Sequence, residues 1–242
     1  MVKNVLHQDM LAYIARRTGY QSAKRYCHRC QFLFRDIPVL GQRVLDVGCG
    51  KGTFALWAAI HGAAYVLGIE PESAGSTSGT LRRFQETIDA LELSETVLAR
   101  ADYLQGLIPA DGPFDVAIMY NVINHLNEGA AMCLHHDEAA YQEYVRLLRD
   151  FRQLMRNDGC VIVSDCGRKN FWNDLGRKNP LVPNIDWDKH QQPHIWISLF
   201  RQAGFELQDL RWSPLYSLAA LSRNWPVHYL TMSHFTLRFR AV

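Results

Sequence analysis

The sequence predicts an α/β domain built on a mostly parallel sheet, and three observations carry that prediction. A short apolar run, Val44-Leu45-Asp46-Val47, passes through Gly48-Cys49-Gly50-Lys51-Gly52 into the apolar stretch Phe54 to Ile60. That reads as strand, glycine turn, helix. Further short apolar runs follow at 65–69, 96–101, 114–120 and 160–163, with helical stretches between them, the alternation of a parallel sheet. An acid, Glu70, closes the second of these runs, 20 residues past Gly50.

The bulk numbers agree. The chain has 242 residues, 48% of them hydrophobic, enough for one domain or one domain with a cap. No stretch approaches 18 consecutive apolar residues, so no membrane span is expected. The segment Met1 to Asp9 lacks the apolar core of a signal peptide, which makes the cytoplasm the default location. Six scattered cysteines (27, 30, 49, 133, 160, 166) read as reduced thiols. Net charge is +2, but residues 1–43 hold eight Lys/Arg against two acids, leaving −4 for the remainder. Such a basic arm suits an anionic partner; the plainer reading is a solvated helix face.

Taken in order, residues 5–36 read as two helices. Leu6, Met10, Leu11 and Ile14 form the first stripe, Thr18-Gly19 breaks it, and a second helix runs from Ser22 to Arg35 with Tyr26, Cys30, Leu33 and Phe34 apolar. Residues 37–41 link to the first strand. Gly62 is a natural stop for the helix after the glycine turn. Residues 73–79 are a loose polar segment, followed by a helix from Leu81 to Leu91. A third strand (96–101) ends in Asp102-Tyr103, and a fourth (114–120) in Asn121-Val122-Ile123-Asn124-His125. After a loop at 127–137 comes an amphipathic helix from Ala139 to Met155, its arginines taken as solvated. The turn Asn157-Asp158-Gly159 leads to the fifth strand and Ser164-Asp165-Cys166. The Trp-, Asn- and Pro-rich stretch 167–192 interrupts the alternation. A helix from Pro193 to Ala203 stops at Gly204; a sixth strand spans Phe205 to Leu210, and a last strand His228 to Arg240. Trp196 and Trp212 are expected in the core.

The spacing of the glycine turn narrows the ligand. A dinucleotide fingerprint is G-x-G-x-x-G; here the third glycine falls one place early and Thr53 stands where it would be. Asp46, two residues before the first glycine, would repel a pyrophosphate but can pair with an ammonium. The run Asp46-Val-Gly48-Cys-Gly50-Lys-Gly52 resembles the first motif of class I S-adenosylmethionine-dependent methyltransferases. The resemblance covers about residues 41–240. It implies a Rossmann-like, seven-stranded sheet of order 3-2-1-4-5-7-6, the last strand antiparallel, with helices on both faces and an N-terminal helical cap. It implies S-adenosylmethionine as cofactor and S-adenosylhomocysteine as product. By the same likeness Glu70 takes the ribose hydroxyls, Asp102 the adenine amino group with Tyr103 beside the ring, and Tyr26 reaches the cofactor from the cap. Cys49, Thr53, Pro71, Asn121 and Val122 complete the expected cofactor set. The expected domain is 1–242, divided into cap (1–40), cofactor-binding core (41–166), acceptor-side insertion (167–192) and the C-terminal part of the sheet (193–242).

For chemistry, a hydroxyl acceptor needs a general base. His125, just past the fourth strand, is the first candidate; His190 paired with Asp188 is the second. The fourth strand ends in Asn-Val-Ile-Asn rather than the N/D-P-P-Y/F clamp for a flipped base, which argues against amino-methylation of a base, and a nucleic-acid partner is not expected. Trp- and His-rich polarity in 167–196 favours a small-molecule or glycan-like hydroxylated acceptor. Cys27-His-Arg-Cys30 lacks a second ligand pair at zinc spacing, and the contiguous His135-His136-Asp137-Glu138 points its side chains in different directions, so no metal is assigned. The alternatives are an RNA or protein methyltransferase using the basic arm, and a non-catalytic S-adenosylmethionine-binding subunit. Nothing in the sequence sets an oligomeric state.

Overall fold

A computed structural model describes residues 2–72, 79–213 and 225–242. The predicted polar segment 73–79 lies outside them apart from Gly79, as does the side chain of Leu6. Seven strands form one sheet: β1 (Arg43–Val47), β2 (Tyr65–Ile69), β3 (Val97–Arg100), β4 (Phe114–Tyr120), β5 (Met155–Cys166), β6 (Phe205–Trp212) and β7 (His234–Ala241). Their order is β3-β2-β1-β4-β5-β7-β6, as the motif implied. β1 and β2 pair parallel from Arg43↔Tyr65 to Val47↔Ile69, and β2 and β3 are likewise parallel. β7 runs antiparallel to both β5 and β6. The chain divides into two compact units, Met1–Ile118 and Met119–Val242.

In the first unit, Val44, Leu45, Val66 and Leu67 are fully buried, which is why β1 and β2 read as unbroken apolar runs. α1 (Val2–Thr18) ends at Gly19, whose φ of +89° suits glycine. α2 (Ala23–Leu33) starts at Ser22, whose side chain accepts from the Arg25 N–H. α3 (Thr53–Ile60) is apolar all round and buried from Phe54 to Ala59, so packing rather than amphipathic patterning holds it. α4 (Thr80–Ala90) buries Phe84 and Ile88. Arg43 ties β1 to the approach of β4. Its backbone N–H donates to Asp115 (2.8 Å), and its guanidinium donates to the carbonyls of Pro113 and Asp111.

In the second unit, α5 (Glu128–Cys133) is followed by α6 (Glu138–Arg152), which Asp137 caps by accepting from the Ala139 and Ala140 N–H groups. α7 (Phe171–Asp174), α8 (Pro193–Gln202) and α9 (Trp225–Tyr229) complete the helices among the described residues. Phe200, stacked on Phe239 at 4.3 Å, and fully buried Trp196 anchor α8. Two of the helix arginines are not simply solvated: Arg149 donates to the Gln202 carbonyl and Arg152 to the carbonyls of Met155 and Val242.

Two expectations are corrected here. The last strand begins at His234, not His228. Ser233 adopts φ +47°, and its N–H donates back to the His228 carbonyl, so 228–233 is the end of α9 and the turn that follows it. Trp212 is half-buried rather than internal, stacked on the buried His228 ring at 5.6 Å. The same turn clamps the 167–192 excursion. Gly167 N–H donates to the Ser233 carbonyl, Ser233 Oγ to that of Lys169, Trp172 Nε1 to that of Leu230, and Asn179 Nδ2 to that of Thr231.

Candidate active site

The glycine turn between β1 and α3 is held open by backbone conformation. Gly48, Gly50 and Gly52 have φ of +65°, +52° and +77°, a region that L side chains rarely adopt. Their roles differ. A Cβ on Gly52 would overlap the Phe84 ring, and one on Gly68 would come within 2.7 Å of it, so both glycines make room for Phe84. A Cβ on Gly50 would meet only the Thr80 methyl at 3.8 Å. The turn is therefore an open cradle at Gly50 and closed at Gly52.

Two acids support the cradle. Asp46 is buried, and its Oδ2 accepts from the Ala55 N–H at 3.0 Å. Burial pushes its carboxyl up to about 7; the Ala55 hydrogen bond opposes the rise and the Glu70 charge adds to it. Half-buried Glu70 accepts the Gly50 N–H on Oε2 at 3.0 Å. Asp102 accepts the Tyr103 N–H on Oδ1 at 2.8 Å and pairs with Arg100 through Oδ2 at 3.1 Å. Tyr103 is 55% exposed. Pro71 is half-buried beside Glu70. Cys49 is buried, its N–H donates to the Ile69 carbonyl, and burial pushes its thiol up. Thr53 opens α3.

Tyr26 is a correction. It is completely buried, its hydroxyl donates to the Thr53 carbonyl at 2.9 Å, and its ring meets Trp57 edge-on. With no exposed surface it touches no ligand; it fixes the first turn of α3 instead.

The second unit gathers the candidate bases. Asn121 leaves β4 with φ +53°, its N–H donating to the Ser164 carbonyl at 2.8 Å; half-buried Val122 follows. The His125 side chain is 48% exposed, with Nδ1 2.6 Å from Glu128 Oε1. Glu128 also takes Lys189 at 2.7 Å, and Lys189 first, then His125, hold its carboxyl below the usual range. His190 is buried, with Nδ1 2.9 Å from Oδ1 of fully buried Asp165. The expected partner was Asp188. That residue is exposed and lends its backbone carbonyl to Arg168, while the carboxylate that meets His190 ends β5. Asp165 is the residue that sequence reasoning missed; its only signal was an acid at a strand end. Among the described residues no group of three or more His, Cys, Asp or Glu is placed to hold a metal ion.

The cradle fits an amino-acid nucleoside. It offers open space at Gly50, with the acids Asp46 in β1, Glu70 just past β2 and Asp102 just past β3. Fold and cradle together define an S-adenosylmethionine-dependent methyltransferase. The chain belongs to the methyltransferase domain family, whose sequence pattern it matches over residues 16–210. It is 24% identical over 212 residues to the ubiquinone biosynthesis O-methyltransferase of Neisseria meningitidis serogroup A, covering 84% of this chain and 81% of that one. In fold it is similar to a SAM-dependent methyltransferase from Aquifex aeolicus (TM-score 0.61, 12% identity, 95% of this chain and 98% of that one). It is also similar to one from Mesorhizobium loti (TM-score 0.58, 20% identity, 84% and 92%).

Proposed function

We propose that the protein methylates a hydroxyl oxygen of a small-molecule acceptor, with His190 as general base oriented by Asp165. The pair itself carries this reading. A buried carboxylate that accepts the His190 Nδ1–H fixes the tautomer and leaves Nε2 as the proton acceptor. An alcohol is a poor nucleophile until its proton has a destination, and a positioned base contributes roughly 10²–10⁴-fold. S-adenosylmethionine supplies an electrophilic methyl on a sulfonium. Asp165 balances the charge that His190 gains with the acceptor's proton. Burial of the pair excludes competing water.

Two further observations support a polar acceptor. Asp165 Oδ2 and both amide atoms of Asn124 are buried without a hydrogen-bond partner among the described residues, and each such atom costs about 1–3 kcal/mol unless something completes it. The N. meningitidis relative is named as an O-methyltransferase. His125 is a second reading, favoured by its own close carboxylate, Glu128. Turnover with labelled methyl donor over a panel of phenols and hydroxylated sugars separates the two. His190→Ala and Asp165→Asn should fall by about 10²–10⁴-fold with S-adenosylhomocysteine affinity retained. Full turnover in His190→Ala, with the loss in His125→Ala, would transfer the role to His125.

A further inference from the structure

A closed ring of hydrogen bonds surrounds the end of β4. The Asn121 N–H donates to the Ser164 carbonyl at 2.8 Å. Ser164 Oγ lies 2.7 Å from Thr236 Oγ1, which lies 3.4 Å from Ser213 Oγ. Ser213 Oγ lies 2.6 Å from His234 Nδ1, and His234 Nε2 lies 3.0 Å from Asn121 Oδ1, closing the ring. Ser164, Ser213, His234 and Thr236 are all buried, whereas Asn121 is exposed. One buried histidine, backed by three buried hydroxyls, thus meets the exposed Asn121 amide.

We propose that His234 is a positioning residue that turns Asn121 into an oriented hydrogen-bond donor for a ligand oxygen. The chemistry of the ring fixes the direction. The carbonyl oxygen of Asn121 faces His234, so Nε2 carries the proton and donates. Nδ1 is then an acceptor and takes the Ser213 hydroxyl proton, which the Thr236 and Ser164 hydroxyls support in turn. With Oδ1 committed, the Asn121 Nδ2–H₂ group faces away from the buried ring. The left-handed backbone at φ +53° is one that asparagine adopts readily, so the amide is held from both its backbone and its side chain. A turn alone would need only a glycine here. The buried histidine behind the amide does what a turn does not require: it selects which end of the amide is presented. The ligand is a molecule with an acceptor oxygen, either the carboxylate of S-adenosylhomocysteine or the hydroxyl of the methyl acceptor. The methyl acceptor as a source rests on the proposed O-methylation; the tautomer and the homocysteine arm do not.

The test uses the full chain. Nitrogen chemical shifts of the His234 ring in the wild type should show Nε2 protonated and Nδ1 not; the opposite tautomer overturns the proposal without any variant. Asn121→Gly keeps the backbone conformation and removes the amide. It should weaken binding by about three- to tenfold, the scale of one neutral hydrogen bond. That loss appears in calorimetric titration with S-adenosylhomocysteine if the cofactor is the partner, or in the acceptor KM alone if the acceptor is. His234→Gln places an amide N–H near Nε2 and should stay within about twofold of wild type, whereas His234→Asn, which mimics Nδ1, should lose as much as Asn121→Gly. Wild-type binding and turnover in Asn121→Gly, or equal losses in His234→Gln and His234→Asn, would leave the ring a purely structural tie and overturn the proposal.

Discussion

His190 and Asp165 stand 25 residues apart in the chain and 2.9 Å apart in the fold. His190 was legible as a candidate because it stands in the polar, Trp-rich excursion after the fifth strand with an acid two residues before it. Its partner was not, because sequence proximity favours Asp188 and only the return of the 167–192 excursion onto β5 brings Asp165 into reach. Tyr26 shows the opposite lesson. An aromatic in the cap read as a cofactor contact, but its hydroxyl finds the Thr53 carbonyl first, which satisfies the polar tip of a buried ring. Asp46 leads to a pH prediction. Its carboxyl is raised to about 7 in the fold against about 3.9 in the unfolded chain. Between those values the folded state binds more protons than the unfolded one, so this group makes stability fall as pH rises from about 4 to about 7, with no further change above. Asp46→Asn should abolish that fall while keeping an oxygen for the Ala55 N–H. Thermal melts of both proteins across that range check it, and parallel pH profiles would contradict the assignment.

At the scale of the element, the strand–turn–helix unit was fully legible, since β1, the three glycines and α3 each announce themselves locally. What the spacing did not distinguish is which glycine serves the ligand and which serves packing. Gly52→Ala combines a left-handed backbone with overlap of the Phe84 ring and should lower stability by about 2–4 kcal/mol. Gly50→Ala adds strain but no overlap. It should cost only about 1–2 kcal/mol of stability and instead fill the cradle and weaken S-adenosylhomocysteine binding. Denaturant unfolding paired with calorimetry reads both effects; equal stability losses, or unchanged binding in Gly50→Ala, would erase the distinction. The last strand was misread at its start for a local reason. Alternation of Tyr229, Thr231 and Ser233 continues smoothly into Phe235, Leu237 and Phe239, and nothing in that pattern marks the positive φ at Ser233 that ends the turn.

Over the whole molecule, the strand order was available only through the motif at Asp46 to Gly52. Apolar runs locate strands but do not say which lie side by side, and the insertion of β7 between β5 and β6 is a long-range fact. The uneven charge makes a separate prediction. If the acceptor is an uncharged hydroxylated molecule, its KM should stay nearly flat with salt, whereas a nucleic acid held by 6–10 phosphate contacts loses about 10³–10⁵ in affinity between roughly 50 and 200 mM. A steep salt dependence in initial rates would move the acceptor to the RNA class despite the absence of a base clamp after β4. The most direct measurement is a calorimetric titration of S-adenosylhomocysteine into wild type and Glu70→Ala. Saturable binding to wild type, weakened at least about tenfold (~1.4 kcal/mol) in the variant, is the expected result. Equal affinity in the two proteins, or no binding to wild type, would contradict a cofactor held at the glycine cradle by Glu70.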